Sequence, residues 1–352
     1  MKTFTCPNCA NMVFFESTVC ENCNANLGFV PEQQFMAAFF RQMNGSWEPA
    51  GISPQYNIQP CRNYESVQVC NWMVAKDDGN DLCQSCRYTE IIPQLSMPEN
   101  LHYWYLLEAA KRRLIYSLEF LGLPIPGRTD DPQHGLAFRF IADSAKKKVL
   151  TGHSSGVITL NILEANDAER EKRRFSMHEP YRTLLGHFRH EIGHFYWDYL
   201  IAKSSWLESF REIFGDESRD YQEALQQYYQ TGPATNWQMN YISSYATMHP
   251  WEDWAETWAQ YLHIKDTLET AINWGVSIHV SGQHAASVSG ADINLNTQSF
   301  REMLIEQWLP LTQFLNSMNR SLGQQDSYPF VLPDVVINKL EFVDQLVKAS
   351  RR

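Results

Sequence analysis

No apolar run in the 352 residues approaches the roughly 20 needed for a membrane helix, and Met1-Lys-Thr-Phe-Thr-Cys6 lacks the hydrophobic stretch of a secretory signal. A cytoplasmic location with no membrane partner is the expectation. Cysteine is missing from everything beyond Cys86, although eight cysteines precede it. Without an export signal disulfides are disfavoured, which leaves metal binding or reduced thiols. Positive charge is also short: 29 Lys and Arg face 40 Asp and Glu, a net charge of −11. Residues 1–90 carry only Lys2, Arg41, Arg62, Lys76 and Arg87 against nine acids. Phosphate-tracking surfaces are basic, so no nucleic-acid partner is expected. No internal repeat is present. The 44% hydrophobic and 20% charged composition is that of a chain able to bury a sizeable core.

The cysteines fall into two sets. Cys6-x2-Cys9 and Cys20-x2-Cys23 have the double-knuckle spacing with which four thiolates close a tetrahedron around structural zinc. A segment of this size cannot build a useful core, so metal would supply much of its folding free energy. Cys61, Cys70, Cys83 and Cys86 are spaced less regularly. A second four-cysteine zinc site is the expectation, with interleaved cross-brace pairing or simple reduced thiols as alternatives. Neither set leaves an open coordination position. The organisation that follows is a zinc ribbon over 1–26, a connector over 27–60, a second four-cysteine module over 61–97 and one large domain over 98–352. The ribbon can dock a protein partner or pack on the large domain.

The main chemical signal is His190-Glu-Ile-Gly-His194. Four residues apart on a helix, His190 and His194 project from one face and can offer two imidazole nitrogens to one Zn²⁺. Glu191 lies beside them, placed to take a proton from zinc-activated water. Glu179-Pro180 and the apolar series Leu184, Leu185, Phe188, Ile192, Phe195 and Tyr199 predict a helix over about 180–202.

A catalytic zinc needs a third protein ligand and one open position. A third histidine shortly after His194 is absent; Trp197 and Leu200 stand there. The segment Tyr245-Ala-Thr-Met-His-Pro-Trp-Glu-Asp-Trp-Ala-Glu256 supplies a glutamate instead. Pro250 suits a first helical turn, and Glu252 and Glu256 then lie one turn apart. Glu252 is the expected ligand, with Asp216 as its rival. Glu256 is expected to accept the outer N–H of a ligating histidine, and Asp198 is a second candidate for that contact. Tyr245 is the candidate oxyanion donor, ahead of Tyr241. His153 reads as a turn histidine or a substrate contact, His187 as structural or as a partner of a metal ligand, and Trp251, Trp254 and Trp258 as a core stripe.

These residues resemble the gluzincin metallopeptidases, and Tyr-x6-Glu-x3-Glu is locally similar to the lethal-factor-type branch. A wider resemblance covers nearly the whole chain. The ribbon start, Cys70-Asn-Trp, Ala110-Lys-Arg-Arg, Thr151-Gly-His, Tyr181-Arg-Thr-Leu-Leu-Gly-His-Phe-Arg-His-Glu, Phe214-Gly-Asp-Glu and His249-Pro-Trp-Glu-Asp-Trp-Ala-Glu-Thr-Trp are similar to a bacterial family of zinc-binding metallopeptidases with an N-terminal zinc ribbon. The resemblance implies an α+β fold, with a zincin-like domain of a small twisted sheet and a mostly helical C-terminal part behind small four-cysteine zinc-ribbon modules. It also implies one catalytic and one or two structural Zn²⁺, and a peptide or protein substrate. A zinc amidase or deacylase on a non-protein amide, and an adaptor with a non-catalytic zincin domain, stand as alternatives.

Coarse periodicity predicts helices near 32–42, 99–121, 204–214, 217–230, 250–263, 265–273, 299–318 and 333–349, strands at 136–142 and 156–163, and a loop beside the cleft over 275–298.

Overall fold

In the computed structural model, which describes residues 2–51, 57–144, 148–177, 183–279, 287–290, 293, 299–328 and 331–351, the first four cysteines are carried by the hairpin β1 (Phe4–Thr5) and β2 (Met12–Val13) and the turn after Cys20. The stretch 27–60, expected to be a connector, instead holds an antiparallel sheet of β3 (Asn26–Val30), β4 (Phe35–Arg41) and β5 (Trp47–Pro49). The helix expected over 32–42 is therefore a strand. Its sequence misleads because Met36, Ala37, Ala38 and Phe39 are all buried, so the alternation that marks a half-exposed strand is missing. The second cysteine set follows on β6 (Ile58–Pro60), α1 (Arg62–Glu65), β7 (Met73–Ala75) and α2 (Gln84–Arg87).

Both cysteine modules share one core and rest on α3 (Asn100–Phe120). Tyr116 of α3 inserts between Phe15 and Phe29, with ring centroids 5.3 and 6.0 Å away, and Trp72 closes the cluster at 5.3 Å from Phe29. Asn71 donates to the Phe15 carbonyl at 2.6 Å, which ties the two modules together.

A four-stranded sheet comes next, in the order β10 (Gly152–Ser154), β11 (Val157–Asn161), β9 (Ala137–Ile141), β8 (Thr89–Ile91). Strand β11 runs parallel to β9, while β10 folds back antiparallel to β11 and forms one edge. Periodicity finds β9 and β11 but not the three-residue β8 and β10, which are too short and too polar to show a period. Phe138 and Phe140 pack on Phe188, bringing the sheet against the helix that carries the two histidines.

After α4 (Asp167–Met177), that helix, α5 (Leu184–Tyr196), starts four residues later than expected. Thr183 caps it, its hydroxyl accepting the Gly186 N–H at 3.0 Å; Glu179 and Pro180 lie outside the described residues. Beyond Tyr196 it widens into a π-helical turn, Trp197–Ile201. Helices α6 (Trp206–Phe214) and α7 (Tyr221–Thr231) lead to α8 (Pro250–Asn273), one unbroken 24-residue helix where two were expected. Buried Ile264 and Leu268 carry the apolar face across the supposed break, and no glycine or proline interrupts it.

Helices α5 and α8 cross closely at Gly193. A Cβ there would stand 3.0 Å from the Ala255 Cα and 3.2 Å from the Trp258 Cβ. The Trp254 indole donates to the Gly193 carbonyl at 2.8 Å. The glycine inside the histidine motif is thus a packing requirement of this crossing.

The expected helix over 299–318 is split by a π-helical turn into α9 (Phe300–Met303) and α10 (Leu309–Ser321), and α11 (Asp334–Ala349) packs along α8. The described parts of 275–298 include a hairpin, Ser277–His279 with Ser287–Ser289, near the C-terminal end of α8. A 24-residue helix is about 36 Å long, so this hairpin sits at the far end from Glu252, not beside the histidine site. The remainder of that stretch lies outside the described residues. The fold is α+β, and among the described residues no helix is long and apolar enough to cross a membrane.

Candidate metal centres

Three groups of side chains converge as metal donors do: Cys6, Cys9, Cys20 and Cys23; Cys61, Cys70, Cys83 and Cys86; and His190, His194 and Glu252. In each, the donor atoms lie within 4.8 Å of one another. The closest sulfur pairs, Cys6 to Cys23 at 3.7 Å, Cys9 to Cys20 at 3.6 Å and Cys70 to Cys83 at 3.7 Å, match the edge of a zinc tetrathiolate tetrahedron, about 3.8 Å for Zn–S bonds of about 2.3 Å. None of the eight is in a disulfide. Backbone N–H groups of Trp72 and Cys83 point at the Cys70 and Cys61 sulfurs, at 3.4 and 3.3 Å. The cysteines group in sequence order, four and four, without interleaving.

The histidine group is assembled by the crossing of α5 and α8. Glu252 Oε2 lies 3.0 Å from His190 Nε2 and 3.5 Å from His194 Nε2, and the two ring nitrogens are 3.2 Å apart. That oxygen is buried and makes no conventional hydrogen bond among the described residues. Two imidazole nitrogens and a carboxylate oxygen facing one point form a donor set suited to zinc with a position to spare. Glu256, one turn along α8, places Oε1 2.7 Å from His190 Nδ1. The carboxylate accepts from Nδ1–H, so Nε2 is the nitrogen turned toward His194 and Glu252, the one a metal would take. Burial alone would depress the His190 pKa, but the Glu252 and Glu256 carboxylates outweigh it and raise it well above the usual histidine range. The Glu252 carboxyl is held far below the usual carboxylate range, burial opposing and the two histidines prevailing.

The start of α8 is pinned from two sides. His249 accepts the Trp251 N–H at Nδ1 (3.1 Å) and donates from Nε2 to the Arg219 carbonyl (3.1 Å). Buried Asp253 pairs with Lys339 of α11 at 2.6 Å, and Lys339 also donates to the Asn240 carbonyl at 2.7 Å. Tyr241 lies under that lysine, its ring centroid 4.3 Å from Nζ, which makes it a lid on the ion pair.

Tyr245 stands at the site, its ring 6.2 Å from that of His190 and its side chain beside Tyr221. Burial pushes its pKa far up, so it is a proton donor at any ordinary pH. Tyr221, the first residue of α7, donates to Glu252 Oε1 at 2.8 Å. It holds one carboxylate oxygen and leaves the other facing the histidines. Sequence reasoning missed it because nothing in its spacing links α7 to α8.

Glu191 is buried and its Oε2 has no hydrogen-bond partner among the described residues. Burial raises its carboxyl pKa while the histidines pull the other way. Trp251, grouped by spacing with Trp254 and Trp258, lies instead on the His194 ring at 3.7 Å between centroids; only the other two are fully buried core. Asp198 does not reach His194. The π-helical turn at Trp197 carries it round to His153, with Oδ2 3.9 Å from His153 Nδ1, and His194 Nδ1 has no hydrogen-bond partner among the described residues. His153 is on β10, not in a turn. Its buried ring lies 6.4 Å from that of His194, and its Nε2 accepts the Gly156 N–H at 3.1 Å. Burial pushes its pKa down to about 3, so it stays neutral. His187 pairs with Glu164 at 3.2 Å. Asp216 is exposed and accepts from Ser218, apart from all three donor groups.

Residues 100–346 match the family model described as "Putative zinc-binding metallo-peptidase", and residues 3–97 match a zinc-ribbon domain. Relatives in Mycobacterium tuberculosis and Mycobacterium bovis, each bearing the name "Uncharacterized protein", are 44% identical over 348 residues, covering 99% of this chain and 95% of their own length. No solved structure matches the chain at a significant level.

Proposed function

The chain belongs to the zinc-binding metallo-peptidase family, and from that premise we propose that it hydrolyses amide bonds, peptide bonds first among them. The observation that carries the proposal is a buried carboxylate, Glu191, one oxygen of which has no partner among the described residues, beside three converging donors on two crossed helices. Zinc bound by His190, His194 and Glu252 supplies Lewis acidity, polarising a carbonyl and making water nucleophilic near neutral pH. The chain's own groups supply the rest. Glu191 takes the proton of the attacking water and passes it to the leaving amine. Tyr245 donates a hydrogen bond to the substrate carbonyl oxygen, stronger as negative charge develops there. Glu256 fixes the His190 tautomer, and Tyr221 fixes the orientation of Glu252. The outer edge of β10, beside α5, offers backbone groups to an extended peptide. The two four-cysteine clusters hold structural zinc.

The test is a proteome-derived peptide library incubated with the zinc-loaded protein and read by mass spectrometry for new termini. Cleavage products that disappear with Glu191→Gln are expected. Identical peptide sets with wild type and variant would overturn the peptidase reading and move the substrate to a non-peptide amide.

A further inference from the structure

The two cysteine clusters differ in how their charge is met. Four thiolates around Zn²⁺ carry a net charge of −2, and taking such a charge out of water costs several kcal/mol or more unless a counter-charge or oriented donors replace the lost hydration. The first cluster keeps contact with water: Cys9 and Cys23 are half-buried, and the Asn22 and Asn8 side chains near them favour the thiolate form. The second does not. Cys61, Cys70, Cys83 and Cys86 are 0%, 1%, 2% and 2% exposed.

What faces this sealed cluster is Arg112 of α3, a helix of the peptidase domain. Arg112 is 2% exposed, and its Nη1 donates to the Val69 carbonyl at 2.6 Å, immediately before Cys70. Its guanidinium is close enough to Cys70, Cys83 and Cys86 to feel their charge. The acid one turn earlier, Glu108, is already engaged by Lys111 at 2.8 Å and by Trp104 and Thr89. Glu108 reaches Arg112 too, but it shares its carboxylate with Lys111, so the buried guanidinium still offers charge to the thiolates, Cys70 foremost, and since arginine stays protonated at any physiological pH it is a fixed cation there.

We infer that Arg112 is the counter-charge of the second zinc, so that this four-cysteine centre is completed by the peptidase domain and acts as a latch between the cysteine modules and α3. The inference is independent of the catalytic reading: it concerns a different metal, and it holds whether or not Glu191 turns over a peptide. A consequence is a division of labour in metal retention. The first cluster, open to water, exchanges its zinc more readily; the second keeps it for as long as α3 stays docked.

The experiment is chelator-triggered thiol alkylation of the full-length protein, mapped peptide by peptide by mass spectrometry. It reads the two clusters separately and does not depend on activity. In the wild type the Cys9 and Cys23 peptides are expected to label first and those of Cys61, Cys70, Cys83 and Cys86 last. Arg112→Gln keeps a donor for the Val69 carbonyl but removes the charge. It should label the second cluster at least about 10-fold faster, on the scale of losing an outer-sphere partner of a metal site, and leave the first unchanged. Arg112→Lys should stay near the wild-type rate. Equal second-cluster rates in wild type and Arg112→Gln would overturn the inference, and so would equally fast labelling in Gln and Lys variants, since shape and not charge would then decide. If the Gln variant fails to fold, Arg112→Lys decides alone: wild-type retention supports the counter-charge, rapid loss overturns it.

Discussion

The cysteine clusters and the histidine centre solve metal binding in opposite ways. Each cysteine cluster draws its donors from one short stretch of chain and closes them into a complete tetrahedral set. The histidine centre draws on two helices and orients its donors through partners far away in sequence: Glu256 sits 66 residues from His190, and Tyr221 sits 31 residues from Glu252. The closed sets offer no position for a substrate. The open set does, and its openness has to be maintained by neighbours that hold each donor in one orientation. The donors of structural zinc are therefore set locally, even where Arg112 of α3 supplies a counter-charge from outside, while the reactive centre is a property of the whole helical domain.

Substitutions can break this contrast or sharpen it. Glu252→Ala should remove zinc from the histidine centre and lower turnover on the order of 10³-fold or more, with both cysteine clusters still loaded. Metal analysis of the purified variant checks it, and unchanged zinc content would dismiss Glu252 as a ligand. Tyr245→Phe should leave zinc content alone while cutting kcat about 10²- to 10³-fold with little change in KM. An unaltered kcat would make Tyr245 a packing residue. Tyr221→Phe leaves Glu252 Oε1 without its donor, so affinity for the zinc of the histidine centre should fall about 10-fold, measured by competition with a chelator. The cysteine clusters should not respond, and if they lost zinc in parallel the separation between the two kinds of centre would fail. Gly193→Ala should have the smallest effect on chemistry. Its Cβ, 3.0 Å from the Ala255 Cα, crowds the crossing and shifts it by no more than a few tenths of an ångström, so the donors stay together and the fold should be destabilised by roughly 1–3 kcal/mol, read as a lowered Tm.

The same contrast explains what the sequence revealed. Spacing picks out the first four cysteines, the Cys83-x2-Cys86 pair and both histidines, because a knuckle or one helical turn already places those donors together, whereas Cys61 and Cys70, in no knuckle, left other pairings open until the fold grouped them. Glu252 and Glu256 were legible for the related reason that a proline-started helix sets two glutamates one turn apart. Tyr221 carries no such mark; its role exists only once α7 is laid beside α8. Trp251 shares the spacing of Trp254 and Trp258 yet lies against His194, since a stripe predicts a face and not what that face meets. Asp198 was one helical turn from His194 on paper, and a π-helical turn moved it to His153. Strand β4 was misread as helix because both of its faces are buried, and β10 is too short to show alternation although it forms the edge nearest the site.

The central claim is that Glu191 is a base beside an intact zinc centre, so zinc content and peptide cleavage should be measured on one preparation of Glu191→Gln. The account predicts zinc in all three donor groups, as in the wild type, with cleavage reduced on the order of 10²-fold or more. Wild-type cleavage by that variant, with its zinc in place, would contradict it.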